Sequence, residues 1–320
     1  MPPIVNYADT PVLVEEGVSV LEALEEAKFT IPYSCRAGLC HSCMMQAEGE
    51  VPAASQQGLS ASQIAQNCFL ACCCHPHADL TIRLRGTADL SQGKVVTRIK
   101  LNESVLALFI QVDFRWFAGQ YLTLWKNELE GRSYSIASRC DEKKIIELHI
   151  KRHDQGLVSR WLHDEVSVDD MLKLSEPIGD CFYTDEHHHK PIVMACTGTG
   201  LAPLYGILQE ALAQQHTALI TLYMASGEPS GLYYRDELVA LAEQHDNVHF
   251  IPMVRRNPTV DLLQEDIVEV VKQRHPELNG HKVFICGSPD VVKKMQRNCF
   301  FAGAAISDIL VDAFEVKALE

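Results

Sequence analysis

Apolar positions along this chain change their period twice, and the changes divide it in three. Residues 1–86 hold short strand-like runs, a predicted amphipathic helix near 20–28, a second helix near 60–66 and a closing strand at 80–84. The small and polar run 86–93 interrupts them and reads as a linker. From 94 to about 187 the pattern alternates. Strands are predicted at 95–99, 105–112, 121–125, 133–137, 145–151 and 171–175, with one helix at 157–165. Short antiparallel strands of this kind build a small barrel. From 190 onward apolar strands (191–196, 218–225, 248–253, 282–286, 309–312) alternate with helices (202–214, 235–244, a mainly helical 259–275, 290–302). That alternation predicts a doubly wound parallel sheet, with ligands at the carboxyl ends of its strands. The predicted fold class is therefore multidomain, α+β followed by α/β, with domains at 1–88, 92–188 and 189–320.

Composition narrows the function classes. A chain of 320 residues suits two or three domains, and 47% hydrophobic residues suffice for packed cores. A net charge of −14 argues against nucleic acid as a partner. The longest apolar stretches, 191–196 and 218–225, are far too short to span a membrane, so no membrane insertion is expected. No charged-then-apolar signal precedes Tyr7, so the twelve cysteines read as reduced thiols of a cytoplasmic protein. The run His187-His188-His189 reads as a polar loop rather than a metal site.

The cysteines carry the sharpest signal. Cys35-Arg-Ala-Gly-Leu-Cys40-His-Ser-Cys43 is followed by Cys72, a C-x4-C-x2-C…C spacing that suits four thiolates around a [2Fe–2S] cluster. Ser34, Ala37, Gly38 and Ser42 are small enough for the loop to wrap and aim its amides at sulfur. A structural zinc site usually needs two short cysteine pairs, and this chain has a triplet plus one distant ligand. Segment 1–86 resembles the plant-type ferredoxin β-grasp domain, whose last ligand lies four residues before a proline. That resemblance selects Cys72, ahead of Pro76, and leaves Cys68, Cys73 and Cys74 as small hydrophobes. The segment is acidic, which would steer a basic redox partner or serve solubility alone.

Arg132-Ser-Tyr134-Ser135 resembles the R-x-Y-S motif of the ferredoxin-NADP reductase superfamily, and the resemblance extends over about 94–320. It implies an FAD-binding barrel and a dinucleotide-binding domain. Arg132 would fork onto the flavin pyrophosphate, Tyr134 would cover the ring, and Ser135 would bond the flavin N5. Lys151 and Gly156-Leu-Val-Ser159 match the segment that meets the same pyrophosphate at a helix amino terminus. Thr197-Gly198-Thr199-Gly200 would cradle the nicotinamide dinucleotide, with Pro203 where G-x-G-x-x-G has its third glycine. By the same resemblance Cys286, followed by Gly287, approaches the nicotinamide C4, and Phe314 shields the flavin until nicotinamide displaces it. Glu228 would accept from ribose hydroxyls and repel a 2′-phosphate, which favours NADH over NADPH; Arg235 is the cation that could fold back against that preference.

As a whole the chain resembles the single-chain NAD(P)H-dependent reductases of bacterial multicomponent oxygenases. The resemblance implies hydride transfer from NADH to FAD, then single electrons through [2Fe–2S] to an acceptor protein such as an oxygenase component. The reductase of a deoxysugar dehydratase, or of a diiron monooxygenase, is the alternative within the same architecture. A flavin-free iron–sulfur carrier or zinc-binding protein is the reading from another class, and the Arg132/Tyr134/Ser135 and Gly198/Gly200 sets weigh against it.

Overall fold

The computed structural model describes residues 2–33, 35–38, 41–59, 63–64, 67–84, 90–184 and 187–314. It separates into two units, Met1–Leu90 and Ser91–Glu320.

The first unit is one sheet gripping one helix. Its strands are β1 (Ile4–Tyr7), β2 (Thr10–Leu13), β3 (Met44–Glu48), β4 (Cys68–Leu70) and β5 (Leu80–Leu84), in the order β2-β1-β5-β3-β4. β1 and β5 pair in parallel and the other pairs are antiparallel. The β1–β2 turn puts Ala8 and Asp9 at φ 48° and 59°, the two positive values that a tight hairpin needs. Helix α1 (Val20–Glu26) starts at a capping box: Glu22 N–H donates to Ser19 Oγ, and Ser19 N–H donates to the Glu22 carboxylate at 2.9 Å. It buries Val20, Leu21 and Leu24 among Val5, Met45 and Phe69. Most of the helix expected near 60–66 lies outside the described residues.

In the second unit β6 (Ser91–Lys100), β7 (Val105–Gln111), β8 (Tyr121–Trp125), β9 (Gly131–Ser135), β10 (Ile145–Lys151) and β11 (Met171–Leu174) form a sheet in the order β10-β7-β6-β11-β8-β9. A bridge between Ile136 and Leu148 joins its ends into a barrel. Helix α2 (Leu157–Asp164) packs Val158 and Leu162 into the barrel core. The first strand begins inside the run read as linker. Gly93 is a ladder residue opposite Leu172, and a Cβ there would meet Ile110 Cγ2 at 2.5 Å. This glycine answers to close packing rather than to a turn.

The remaining strands are parallel: β12 (Ile192–Thr197), β13 (Ile220–Ser226), β14 (Val248–Val254), β15 (Lys282–Gly287) and β16 (Ile309–Ala313), ordered β14-β13-β12-β15-β16. Helices α3 (Leu201–Ala213), α4 (Arg235–Gln244), α5 (Ile267–Arg274) and α6 (Pro289–Phe301) connect them. Strand order reverses between β12 and β15, which opens the ligand crevice at Thr197–Gly200 and Cys286–Gly287. The helical stretch expected over 259–275 shrinks to α5. Asp266 caps it by accepting from Val268 N–H at 2.8 Å, while Leu263 upstream bridges Met253.

The histidine run is not a solvated loop throughout. His187 is buried, its Nδ1 accepting from Thr184 N–H at 3.0 Å. His216 is buried beside the Tyr183 hydroxyl, 3.1 Å away. Burial, with lesser repulsion from neighbouring cations and histidines, lowers both to about 4. The unfolded chain therefore binds these protons first. The stabilisation is whole above pH 6.5 and is lost as pH falls toward 4, about 1–3 kcal/mol per group. Melting temperature should drop across that window, and the His187→Gln and His216→Gln variants should each flatten the drop.

Candidate functional site

The cysteine loop is built from left-handed turns. Arg36, Gly38 and His41 have φ of 52°, 73° and 55°, values that turn the chain sharply at each of them. The Ala37 amide donates to Cys35 Sγ at 3.4 Å, the kind of contact that charge on sulfur requires. Cys43 is buried, and its carbonyl accepts from Ala71 N–H at 3.1 Å, tying the loop to the turn that carries Cys72. Cys72 and Cys73 sulfurs lie 3.7 Å apart. Gly38 makes room for the second of them, since a Cβ there would sit 2.9 Å from Cys73 Sγ. Cys68 and Cys74 are fully buried, and burial pushes the Cys74 thiol up to about 12, as suits a small hydrophobe. Cys40 lies outside the described residues. Among the described residues no group of three metal-binding side chains is gathered for an ion. The thiol donors and the backbone amide bonded to Cys35 sulfur fit an iron–sulfur cluster.

The flavin and nicotinamide elements converge in the second unit. Arg132 is exposed on β9, its guanidinium donating to the Gly131 carbonyl at 2.7 Å. Tyr134 is half-buried beside the barrel core, where burial pushes its hydroxyl up. Lys151 is exposed at the end of β10. Gly156 opens α2, but the Ser159 hydroxyl is turned to its own loop, accepting from His153 N–H at 3.2 Å.

Ser135 Oγ donates to Asp312 Oδ2 at 2.6 Å, and burial raises that carboxyl to about 6. Asp312 is the ladder neighbour of Cys286 on β16. Cys286 is buried in contact with the Cys181 thiol, and burial holds it far toward the neutral form. Phe314 N–H donates to the Gly287 carbonyl at 2.8 Å, so the aromatic is anchored at the same strand end. Ser135, Cys286 and Phe314 thus stand together, joined by an aspartate to which the sequence reading gave no role.

The glycines of the crevice differ in purpose. Gly198 has φ 55° and a Cβ there would touch nothing within 4 Å, which leaves its face open to a ligand. Gly200 has no such room: its Cβ would lie 2.4 Å from the Cys286 carbonyl oxygen. Thr197 braces the opposite loop by accepting from Ser288 N–H at 3.1 Å, and Thr199 lies in the 3-10 turn between the two glycines. An open amide turn beside packed strand ends fits a dinucleotide pyrophosphate. Glu228 is half-buried after β13, and Arg256, just past the end of β14, approaches it at 3.4 Å. Arg235 faces Asp261 instead.

A ferredoxin-like loop, a barrel bearing R-x-Y-S and a parallel sheet with an open glycine turn define an iron–sulfur flavoprotein oxidoreductase. Family comparisons agree along the chain: residues 5–77 match the 2Fe-2S iron-sulfur cluster binding domain, 83–183 the oxidoreductase FAD-binding domain and 194–297 the oxidoreductase NAD-binding domain. The reductase subunit of an aromatic O-demethylase from Amycolatopsis sp. is 31% identical over 307 residues, 87% of this chain and 88% of that one. The chain belongs to this family of NAD(P)H-dependent reductases, whose cofactors are a [2Fe–2S] cluster, FAD and a nicotinamide dinucleotide. It is also similar to the reductase component of the naphthalene 1,2-dioxygenase system of Pseudomonas putida, 27% identical over 93% of this chain and 94% of that one. The crystal structure of an Amycolatopsis cytochrome P450 reductase superposes with TM-score 0.70 at 27% identity, covering 98% of both chains. Among the described residues no helix is long and apolar enough to cross a membrane.

Proposed function

We propose that this chain carries electrons from NADH to an oxygenase component, in the cytoplasm. Bound FAD would supply a two-electron hydride acceptor and the cluster a one-electron carrier, the chemistry these cofactors bring. The chain's own residues bind and orient. Arg132, Lys151 and the turn at Gly156 hold the flavin pyrophosphate, with Ser159 bracing that turn. Tyr134 covers the ring and excludes water, and Ser135 meets the flavin edge. Thr197, Gly198, Thr199 and Gly200 receive the dinucleotide, Cys286 and Gly287 border its nicotinamide, and Phe314 covers the flavin in its absence. Cys35, Cys40, Cys43 and Cys72 hold the cluster. The domain limits 1–88, 92–188 and 189–320 belong to the same reading.

One observation carries it: Ser135 of the barrel is bonded to Asp312, the ladder neighbour of Cys286 in the nucleotide domain. NADH is supported by Glu228 at the ribose position, whose charge Arg256 offsets only from 3.4 Å on an exposed surface. A second acceptor class has its own support. The CDP-6-deoxy-L-threo-D-glycero-4-hexulose-3-dehydrase reductase of Yersinia pestis is 27% identical over 318 residues, 95% of each chain.

The test is an anaerobic visible spectrum of the purified protein, titrated with NADH and then NADPH. Flavin and iron–sulfur bands bleached efficiently by NADH are expected. Bleaching by NADPH alone would overturn the donor assignment, and a colourless protein containing zinc would end the electron-transfer reading.

A further inference from the structure

Two polar residues on β10 have no role in binding flavin or cluster. Ile146, Leu148 and Ile150 of this strand point into the barrel core, so Glu147 and His149 face the other way, toward the nucleotide domain. Both are buried. Glu147 Oε1 lies 2.9 Å from His149 Nε2 and accepts from the Tyr234 hydroxyl at 2.6 Å. His149 Nδ1 lies 3.0 Å from the Tyr233 hydroxyl. Both tyrosines end the loop that begins at Gly227 and Glu228, and α4 follows directly.

That loop is fastened at a second point, where Asn102 Nδ2 of the barrel donates to the Ser230 carbonyl at 3.1 Å. Tyr234 also sits in a left-handed conformation, φ 56°, which a tyrosine adopts only when its surroundings compel it. What compels it is visible: the hydroxyl bond to Glu147 and the Tyr205 ring, 4.9 Å away between centroids. Burial and the adjacent Glu147 hold Tyr234 protonated, so it remains a donor. The two domains meet closely here, for Gly206 of α3 approaches the Ala137 backbone so nearly that a Cβ would stand 3.0 Å from it.

We propose that Glu147 and His149 are positioning residues for the nicotinamide dinucleotide, acting through Tyr233 and Tyr234 to fix the ribose-binding loop 227–234 against the flavin barrel. The inference rests on the dinucleotide reading of Glu228. Its consequence is specific. Loss of the network loosens the adenosine half of the site while leaving flavin, cluster and hydride geometry intact.

The experiment compares holoenzyme of wild type, Tyr234→Phe and Glu147→Gln. Flavin content and melting temperature are recorded, then KM and kcat for NADH, and the affinity for ADP-ribose by calorimetry. Tyr234→Phe removes one hydroxyl and keeps the Glu147–His149 pair, so it decides the matter should Glu147→Gln fail to fold. At least fivefold weaker ADP-ribose binding and a matching rise in KM are expected, with kcat and flavin content within twofold of wild type. Unchanged ADP-ribose affinity in Tyr234→Phe, whatever its melting temperature, would overturn the proposal. A wild type that binds no ADP-ribose would instead overturn the dinucleotide reading.

Discussion

Replacement of Cys72 by serine is expected to abolish the iron–sulfur cluster, and with it about 100-fold or more of the electron delivery to a protein acceptor. The flavin half should survive. NADH oxidation with ferricyanide, which takes electrons from flavin directly, should stay within about twofold of wild type because the first unit has its own core. The informative comparison is Cys73→Ser. Cys72 and Cys73 sulfurs lie 3.7 Å apart, and it is Cys73 that nests against Gly38 of the loop. The spacing ahead of Pro76 favours Cys72 as ligand, so Cys73→Ser should retain iron and the broad visible absorption. The opposite result, iron lost from Cys73→Ser and kept in Cys72→Ser, would move the fourth ligand by one residue. Iron content and the visible spectrum decide this before any turnover is measured.

That one-residue question marks where local pattern stops being informative. Periodicity suffices where an element is amphipathic or wholly apolar: β8, β10, β5 and α4 begin and end where the sequence predicts. Pattern misleads where a residue answers to a distant neighbour. Gly93 reads as linker because it is small, yet it is small to admit Ile110. Glu147 and His149 alternate with apolar residues, which in isolation is the signature of a solvated strand face. They are buried because α3 and the 227–234 loop close over that face, and their tyrosine partners lie more than 80 positions away. Arg256 likewise reaches Glu228 from the loop after the adjacent strand, 28 positions on. Tertiary packing, not spacing, brings these groups together.

Asp312 is the clearest such case, and Asp312→Asn is expected to raise stability while it slows reduction of the flavin. A buried carboxyl at about 6 means that the folded protein holds this proton more tightly than the unfolded chain does. The group therefore costs stability as pH rises from about 4 to 6, and the cost persists above that, about 1–3 kcal/mol. This opposes the gain from His187 and His216 over the same window, so the wild-type pH profile is their difference. Asparagine keeps the shape and an acceptor for Ser135 Oγ without the buried charge, and its melting temperature at pH 7 should exceed that of wild type.

The reaction should respond in the other direction. Above pH 6 the Asp312 carboxylate accepts from Ser135, turning the hydroxyl proton toward β16. Below pH 6 the protonated carboxyl can donate instead, which frees the Ser135 proton for the flavin edge that Ser135 is proposed to meet. Asparagine removes that exchange. Flavin reduction by NADH in stopped flow should fall about 10- to 100-fold below pH 6 and match wild type above it, so that the inflection near pH 6 in wild type vanishes in the variant. A variant that melts higher and reduces its flavin at the wild-type rate at every pH would leave Asp312 no part in the proton path. Its bond to Ser135 would then serve only to join barrel and nucleotide domain.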